Sequence, residues 1–182
     1  TTVTTSAGEV ETTDDHIIEF NPSSGSIVTE WDLREVLDID RYDLSEDAAD
    51  WFHMNAVWYS ETDDCIIVSG RNQAVVKIDR NNNLKWILAP HLGWEQAGAT
   101  GNGFNTSDYL LTAVDGGGSP YSDDVQNGIV SAGDFDWCWG QHAPMILENG
   151  NYLMFDNGFN RQFGATAPYS RAVEYSINEQ NK

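Results

Sequence analysis

Residues 53–71 read HMNAVWYSETDDCIIVSGR, and residues 142–161 read HAPMILENGNYLMFDNGFNR. Each stretch opens on a histidine, passes through an apolar segment, a polar turn and a second apolar segment, and closes on a small residue and an arginine. Apolar runs this short, bounded by Ser, Asn, Asp and Gly, predict β-hairpins rather than helices. The first stretch starts a succession of four strands, at 52–59, 65–70, 74–79 and 84–89, with turns at 60–64, 71–73 and 80–83. A four-stranded antiparallel meander is the unit of one propeller blade. The second stretch predicts strands at 143–147 and 152–156 around an Asn149-Gly150 turn, followed by a strand at 171–177; Asn-Gly is a strong hairpin signal. Self-similarity between hairpin-built units points to an all-β propeller fold.

Outward from these two stretches, residues 17–21 and 26–33 form a further strand pair, joined by the Pro-to-Gly turn 22–25. A helical period is present only weakly, over 31–39. An acidic connector covers 38–50, and a Gly-, Ser- and Asp-rich stretch covers 92–133 with one predicted strand at 109–114. A connection of that length is expected to be a lid or binding loop. The organisation expected for 1–182 is therefore a partial propeller: 15–50 the end of one blade with its connector, 51–90 a complete blade, 91–133 the loop or lid, and 134–182 most of a third blade. About two and a half blades cannot close a ring that takes four to eight. A second chain or a further segment is expected to complete it.

Nine Lys and Arg against 29 Asp and Glu give a net charge of −20, with 40% apolar and 12% aromatic residues. That composition supports a packed core and excludes a generic electrostatic grip on nucleic acid or anionic membrane. An anionic ligand has to be caught locally, by a few Arg or His side chains. No run of residues is long and apolar enough for a membrane span, and 1–13 lacks the layout of a signal peptide. Cys65 and Cys138 sit far apart in apolar surroundings, which predicts two buried thiols, with a single bridge as the alternative.

A hairpin turn centred on Thr62 puts His53 opposite Arg71, with Asn55 on the same face as His53. An imidazole, an amide and a guanidinium gathered at one strand end suit a tetrahedral oxyanion, because Arg offers a planar fork of donors and stays charged. The plain alternative is a capped strand end. In the second hairpin a two-residue turn at Asn149-Gly150 pairs His142 with Asn157 and leaves Arg161 in a loop beyond. His142 follows Trp137-Cys138-Trp139-Gly140-Gln141, so an imidazole stands at a strand mouth beside indoles, placed to act as nucleophile or base. His91 ends a strand and His16 begins one. Zinc is not expected, since no two histidines share a ligand spacing. The run Asp38-Ile39-Asp40-Arg41-Tyr42-Asp43 has the carboxylates of a calcium loop but lacks its ligand at Tyr42 and its glycine. Asn105-Thr106-Ser107 satisfies the glycosylation triplet.

Taken in order, Asp50-Trp51-Phe52-His53-Met54-Asn55, Ser69-Gly70-Arg71-Asn72-Gln73, Gly140-Gln141-His142-Ala143-Pro144 and Phe155-Asp156-Asn157-Gly158 resemble the motifs of the bacterial arylsulfate sulfotransferase family, over about residues 15–178. The resemblance implies a six-bladed propeller that moves a sulfo group from a phenolic sulfate ester to another phenol, with no cofactor and no nucleotide sulfate donor. It implies a ping-pong route through a sulfohistidine, in the periplasm or at the cell surface. On the matching positions His142 is the expected nucleophile. His53, Asn55 and Arg71 are expected to bind the sulfuryl oxygens, with His53 also a proton donor or acceptor for the phenolic oxygen. Trp137 and Trp139 are candidate walls of an aryl pocket. The family's full propeller is much longer than this chain, and a further histidine it uses has no counterpart here. The competing expectation is a non-catalytic module that binds an anionic or aromatic ligand, or a protein, with the same hairpin ends.

Overall fold

The computed structural model describes residues 1–6, 8–41, 47–98, 103–180. The chain forms antiparallel sheets with only short helical turns between them. Strands β1 (Thr2–Thr5) and β2 (Gly8–Glu11) make one hairpin, and β3 (His16–Phe20) and β4 (Ile27–Asp32) a second. Strands β5 (Met54–Ser60), β6 (Cys65–Gly70), β7 (Val75–Asp79) and β8 (Leu84–Leu88) form a four-stranded sheet in sequence order. Strands β9 (Gln141–Ile146), β10 (Tyr152–Asp156) and β11 (Arg171–Tyr175) form a three-stranded one with β10 in the middle.

The four-stranded sheet is the centre of the molecule. Its inner strands are buried on both faces, which is why β6 and β7 read as nearly continuous apolar runs. Strand alternation sends Ile66, Val68, Val76, Ile78 and Ile87 to one side, where they meet Ile17, Trp31, Leu33, Trp51 and Phe52. Ile67, Val75, Trp86 and Leu88 go to the other, against Leu111, Trp137, Trp139, Tyr152 and Met154. Each such buried aliphatic side chain contributes about 1.5–3 kcal/mol relative to leaving it in water. Lys77 shares the second face and is buried there, its Nζ 2.5 Å from Asp63 and 2.6 Å from Glu179. The edge strand β5 and the β3–β4 hairpin leave Ile18, Phe20, Ile27, Val28, Val57, Trp58 and Tyr59 exposed.

Several expectations change. The hairpin β1–β2 was not anticipated, because its Thr- and Glu-rich strands bury only Val3 and Thr5 to any depth. The 109–114 segment is not a strand: a 3-10 turn over Thr106–Tyr109 precedes a single parallel bridge from Leu110 to Ile87. The described part of 91–133 sends a few side chains into the core and leaves others, Leu92, Phe104, Val114, Ile129 and Val130 among them, exposed. Trp94, Ala97, Leu111, Ala113 and Val125 are buried, and Gln126 exchanges two hydrogen bonds with the Ala113 backbone, at 2.9 and 2.6 Å. The weak helical period over 31–39 yields only the 3-10 turn Leu33–Glu35. Both cysteines are free and buried, as expected, and no bridge joins them.

In the connector 38–50, residues 42–46 lie outside the described ones, and with them Tyr42 and Asp43 of the calcium-like run. Its first carboxylate, Asp38, is buried and accepts the N–H groups of Asp40 and Glu95 at 3.0 and 2.7 Å. Burial holds its pKa above the usual carboxylate range even so.

Candidate active site

The site forms where the start of β5, the end of β6 and the start of β9 meet. A 3-10 turn, Ala48–Asp50, capped by Asp47, leads into Trp51 and Phe52, both buried. Phe52 packs directly against Gly70; a Cβ there would stand 2.4 Å from the ring. Gly70 is therefore glycine because Phe52 occupies its side-chain space. The Arg71 N–H donates to the His53 carbonyl at 3.0 Å, and the Asn72 amide donates to the Asp50 carbonyl at 2.6 Å. These bonds hold His53 in a left-handed conformation, φ 56°, which costs a non-glycine residue about 1–3 kcal/mol and clusters at functional sites.

His53 does lie opposite Arg71, by a route the sequence does not announce. The hairpin loop is the four residues after Ser60, which pairs with Cys65; a bulge at Asn55 then resets the register, so that Ala56 pairs with Ser69 but Met54 with Gly70. The second hairpin departs from expectation. Its loop has three residues, closed by Gly150 N–H to Leu147 O at 2.9 Å with Gly150 at φ 84°. A bulge after His142, with Ala143 at φ 51°, pairs His142 with Phe155 and not with Asn157. Asn157 reaches it through its side chain instead: Nδ2 is 2.8 Å from His142 Nδ1 and donates to Gly140 O at 2.7 Å. The His142 Nδ1 is also 3.1 Å from Gly140 O, so either neutral tautomer finds a partner.

The two hairpins are fastened together by Gln141. Its carbonyl accepts Asn55 Nδ2 at 2.9 Å and Ser69 Oγ at 3.2 Å, while its own Nε2 donates to Gly70 O at 2.7 Å. His142 is thereby fixed next to Asn55. Asn55 Oδ1 is buried and has no hydrogen-bond partner among the described residues. Gly140, at φ 65°, lies so close to Phe159 and Arg71 that a Cβ would stand 2.9 and 3.8 Å from them. The Arg71 guanidinium covers the Phe159 ring at 4.4 Å. Buried Asp156 anchors both flanks, accepting Trp139 N–H at 2.9 Å and Gly158 N–H at 2.8 Å.

Arg71 differs electrostatically from six other basic side chains. Arg34, Arg80, Arg161, Arg171, Lys77 and Lys85 each pair with a carboxylate. Arg71 makes no ion pair among the described residues. Arg161, its counterpart in the repeated stretch, is buried between Asp136 and Asp156 and serves the fold. Near His53, Asp50 Oδ2 lies 2.5 Å from Nδ1, and burial raises the pKa of neighbouring Asp15, which accepts the Met54 N–H.

The remaining candidates lie elsewhere. Trp137 and Trp139 are 1% and 0% exposed, Trp137 donating to Val125 O at 2.7 Å and Trp139 packed edge-on against Phe163. His91 bonds the Leu111 carbonyl at 3.0 Å. His16 sits among Asp14, Glu30 and Asp32; the Asp14, His16 and Asp32 ligand atoms lie within 4.8 Å of one another, but the Arg34 guanidinium is already paired with both aspartates there. Sequence reasoning did not assign roles to Asp50, Gln141, Asn157 or Phe159. Asp50, three residues before His53, and Asn157, expected opposite His142, carried a local signal.

A guanidinium with no ion pair among the described residues, an imidazole held by the Asp50 carboxylate and an imidazole held by Gly140 O and the Asn157 amide are groups that could bind an oxyanion. The chain belongs to the arylsulfotransferase (ASST) family, which it matches over residues 1–182. It is 35% identical to the arylsulfate sulfotransferase AssT of Escherichia coli O6:H1 (strain CFT073), over 93% of this chain and 33% of that protein. It is 32% identical to the AssT of Lelliottia amnigena, over 94% of this chain and 34% of that protein. The chain thus spans about a third of the length of these curated relatives.

Proposed function

We propose that this chain carries the nucleophile and the sulfuryl-binding half of an aryl sulfotransferase that uses no nucleotide sulfate donor. The observation that carries this reading is the convergence at Gly140 of His142 with Arg71, a cation that no carboxylate among the described residues neutralises, in a chain of net charge −20. His142 Nε2 attacks the sulfur of an aryl sulfate ester, with Nδ1–H donated to Gly140 O. The S–O bond to the phenolic oxygen breaks, and that oxygen takes a proton from His53 Nε2 and leaves as the phenol. An acceptor phenol then attacks the sulfohistidine, the N–S bond breaks, and the phenolic proton passes to His53. Protons and sulfo groups balance over the two half-reactions.

Arg71 and the second N–H of Asn55 hold the sulfuryl oxygens as charge builds on them. Like phosphoryl transfer, the step is mostly positioning and charge stabilisation. The two larger sheets are read as blades of a six-bladed propeller, with 51–90 a complete blade and 134–182 most of another. A further chain or segment completes the ring against the exposed Ile18, Phe20, Val57 and Tyr59. The proposed compartment, the periplasm or cell surface, follows the resemblance of the motifs.

Release of nitrophenolate from a nitrophenyl sulfate with a phenol acceptor present, measured on the protein with its ring completed, tests the reading. Arg71→Ala should slow it by on the order of 10²-fold, since a hydrogen bond to a charged group contributes about 1.5–3 kcal/mol. Turnover unaffected by that substitution refutes it.

A further inference from the structure

We propose that Asp50 is a positioning residue for His53, keeping a proton on Nδ1 so that Nε2 is the nitrogen that gains and loses the proton in sulfo transfer. The inference rests on the reading above for its chemistry, and on geometry for its assignment. Asp50 Oδ2 lies 2.5 Å from His53 Nδ1, so the carboxylate and this ring nitrogen are in direct hydrogen-bond contact. A carboxylate in that position is acceptor-only, so the nitrogen facing it has to be the donor in either charge state of the ring.

The backbone is arranged to make this meeting occur. Asp50 ends the 3-10 turn, Trp51 and Phe52 are buried in the core, and the left-handed His53 turns its side chain back within reach of the carboxylate three residues earlier. The Asn72 amide and the Arg71 N–H fix the carbonyls of Asp50 and His53, so both ends of the contact are set by the β5–β6 pairing. Among the described residues Asp15 is a second carboxylate near the ring, and it accepts the Met54 N–H at 3.4 Å. Asp50 is therefore the group that chooses the nitrogen.

The consequence is chemical. A neutral His53 with its proton on Nε2 could not accept the proton of an incoming phenol at that nitrogen. With Nδ1–H committed to Asp50, the ring delivers a proton from Nε2 to the departing phenolic oxygen and recovers one there from the acceptor. Only one nitrogen cycles.

Nitrogen-15 NMR of the His53 ring, assigned with His53→Gln and recorded at a pH where the ring is neutral, reads the position of the proton directly. The expected result is Nδ1–H in the parent and predominantly Nε2–H in Asp50→Ala and in Asp50→Asn, whose amide can donate to Nδ1. Both variants keep the Asp50 backbone carbonyl that Asn72 binds, so they are expected to fold. A parent with its proton on Nε2, or variants with it unmoved from Nδ1, overturns the proposal. In the transfer assay Asp50→Ala should lower kcat by on the order of 10²-fold with KM little changed, and an unchanged kcat also overturns it. The NMR readout needs no turnover, so an inactive parent refutes the proposed function and leaves the role of Asp50 to be decided by the ring proton.

Discussion

The contact between Phe52 and Gly70 supports the whole site, and adding one methyl group tests it. In Gly70→Ala the new Cβ would stand 2.4, 2.5 and 2.5 Å from three atoms of the Phe52 ring. Gly70 has no positive φ, so the backbone accepts alanine and the cost is steric. Phe52 is fully buried and cannot swing into solvent. Overpacking a core costs about 1–3 kcal/mol, and three such contacts put the expected loss near the upper end, about 3 kcal/mol. Phe52→Ala alone should cost about 3–5 kcal/mol. In the double variant the cavity left by the ring receives the methyl group, so the two losses should fall short of their sum by about 1–3 kcal/mol. Urea unfolding followed by tryptophan fluorescence gives all three values. Additive losses, or a Gly70→Ala protein as stable as the parent, would refute the claim that Phe52 fills this space.

Other consequences are as direct. Burial works against the Lys77 ammonium, yet hydrogen bonds to Asp63 and Glu179 leave its pKa above the lysine norm; burial likewise opposes Asp63, which Lys77 and Ser60 hold below the carboxylate norm. A raised lysine stabilises below its unfolded pKa and loses this as pH rises through the folded value, while a depressed aspartate stabilises above its unfolded pKa and loses this as pH falls. The destabilisation caused by Lys77→Met should therefore be largest between about pH 5 and 10 and shrink on both sides, as chemical denaturation across pH will show. For His16, burial lowers the pKa but Glu30, Asp32 and Asp14 raise it above the histidine norm overall. The parent's advantage over His16→Gln should be full below about pH 6.5 and disappear as pH rises through the folded value, measured the same way. Burial raises the pKa of both cysteine thiols, most for Cys138, so neither should react with a thiol reagent until the protein unfolds; rapid labelling of Cys138 in the native state would contradict its placement.

The sequence made the sheets legible where alternation and turn chemistry agreed. Strands β6 and β10 fall on their predicted residues, because Cys65–Gly70 and Tyr152–Asp156 are apolar runs between unambiguous turns. Strands β1 and β2 were hidden, since a Thr-rich hairpin that buries little has no apolar signature. The bulges at Asn55 and after His142 left no trace in residue type, yet they decide which side chains meet. His53 reached Arg71 only because one bulge compensated for a longer turn. Asn157 reached His142 through a side-chain contact after the backbone register had slipped past it. Trp137 and Trp139 pack deep in the second core, and Trp137 also lines a cavity with Leu111, Tyr121 and Tyr175, a placement that local composition did not fix. Contacts between hairpins, such as Gln141 to Asn55, depend on how two sheets lie together, and nothing within either stretch encodes that alone.

The most direct test of the account is mass spectrometry of the intact protein and its peptides after brief exposure to an aryl sulfate, kept at neutral or alkaline pH to preserve a labile N–S bond. The predicted result is one sulfo group on the peptide containing His142, removed by a phenol acceptor and never formed in His142→Ala. A sulfo group on another residue, or none on the protein with its ring completed, would contradict the central claim that His142 is the nucleophile.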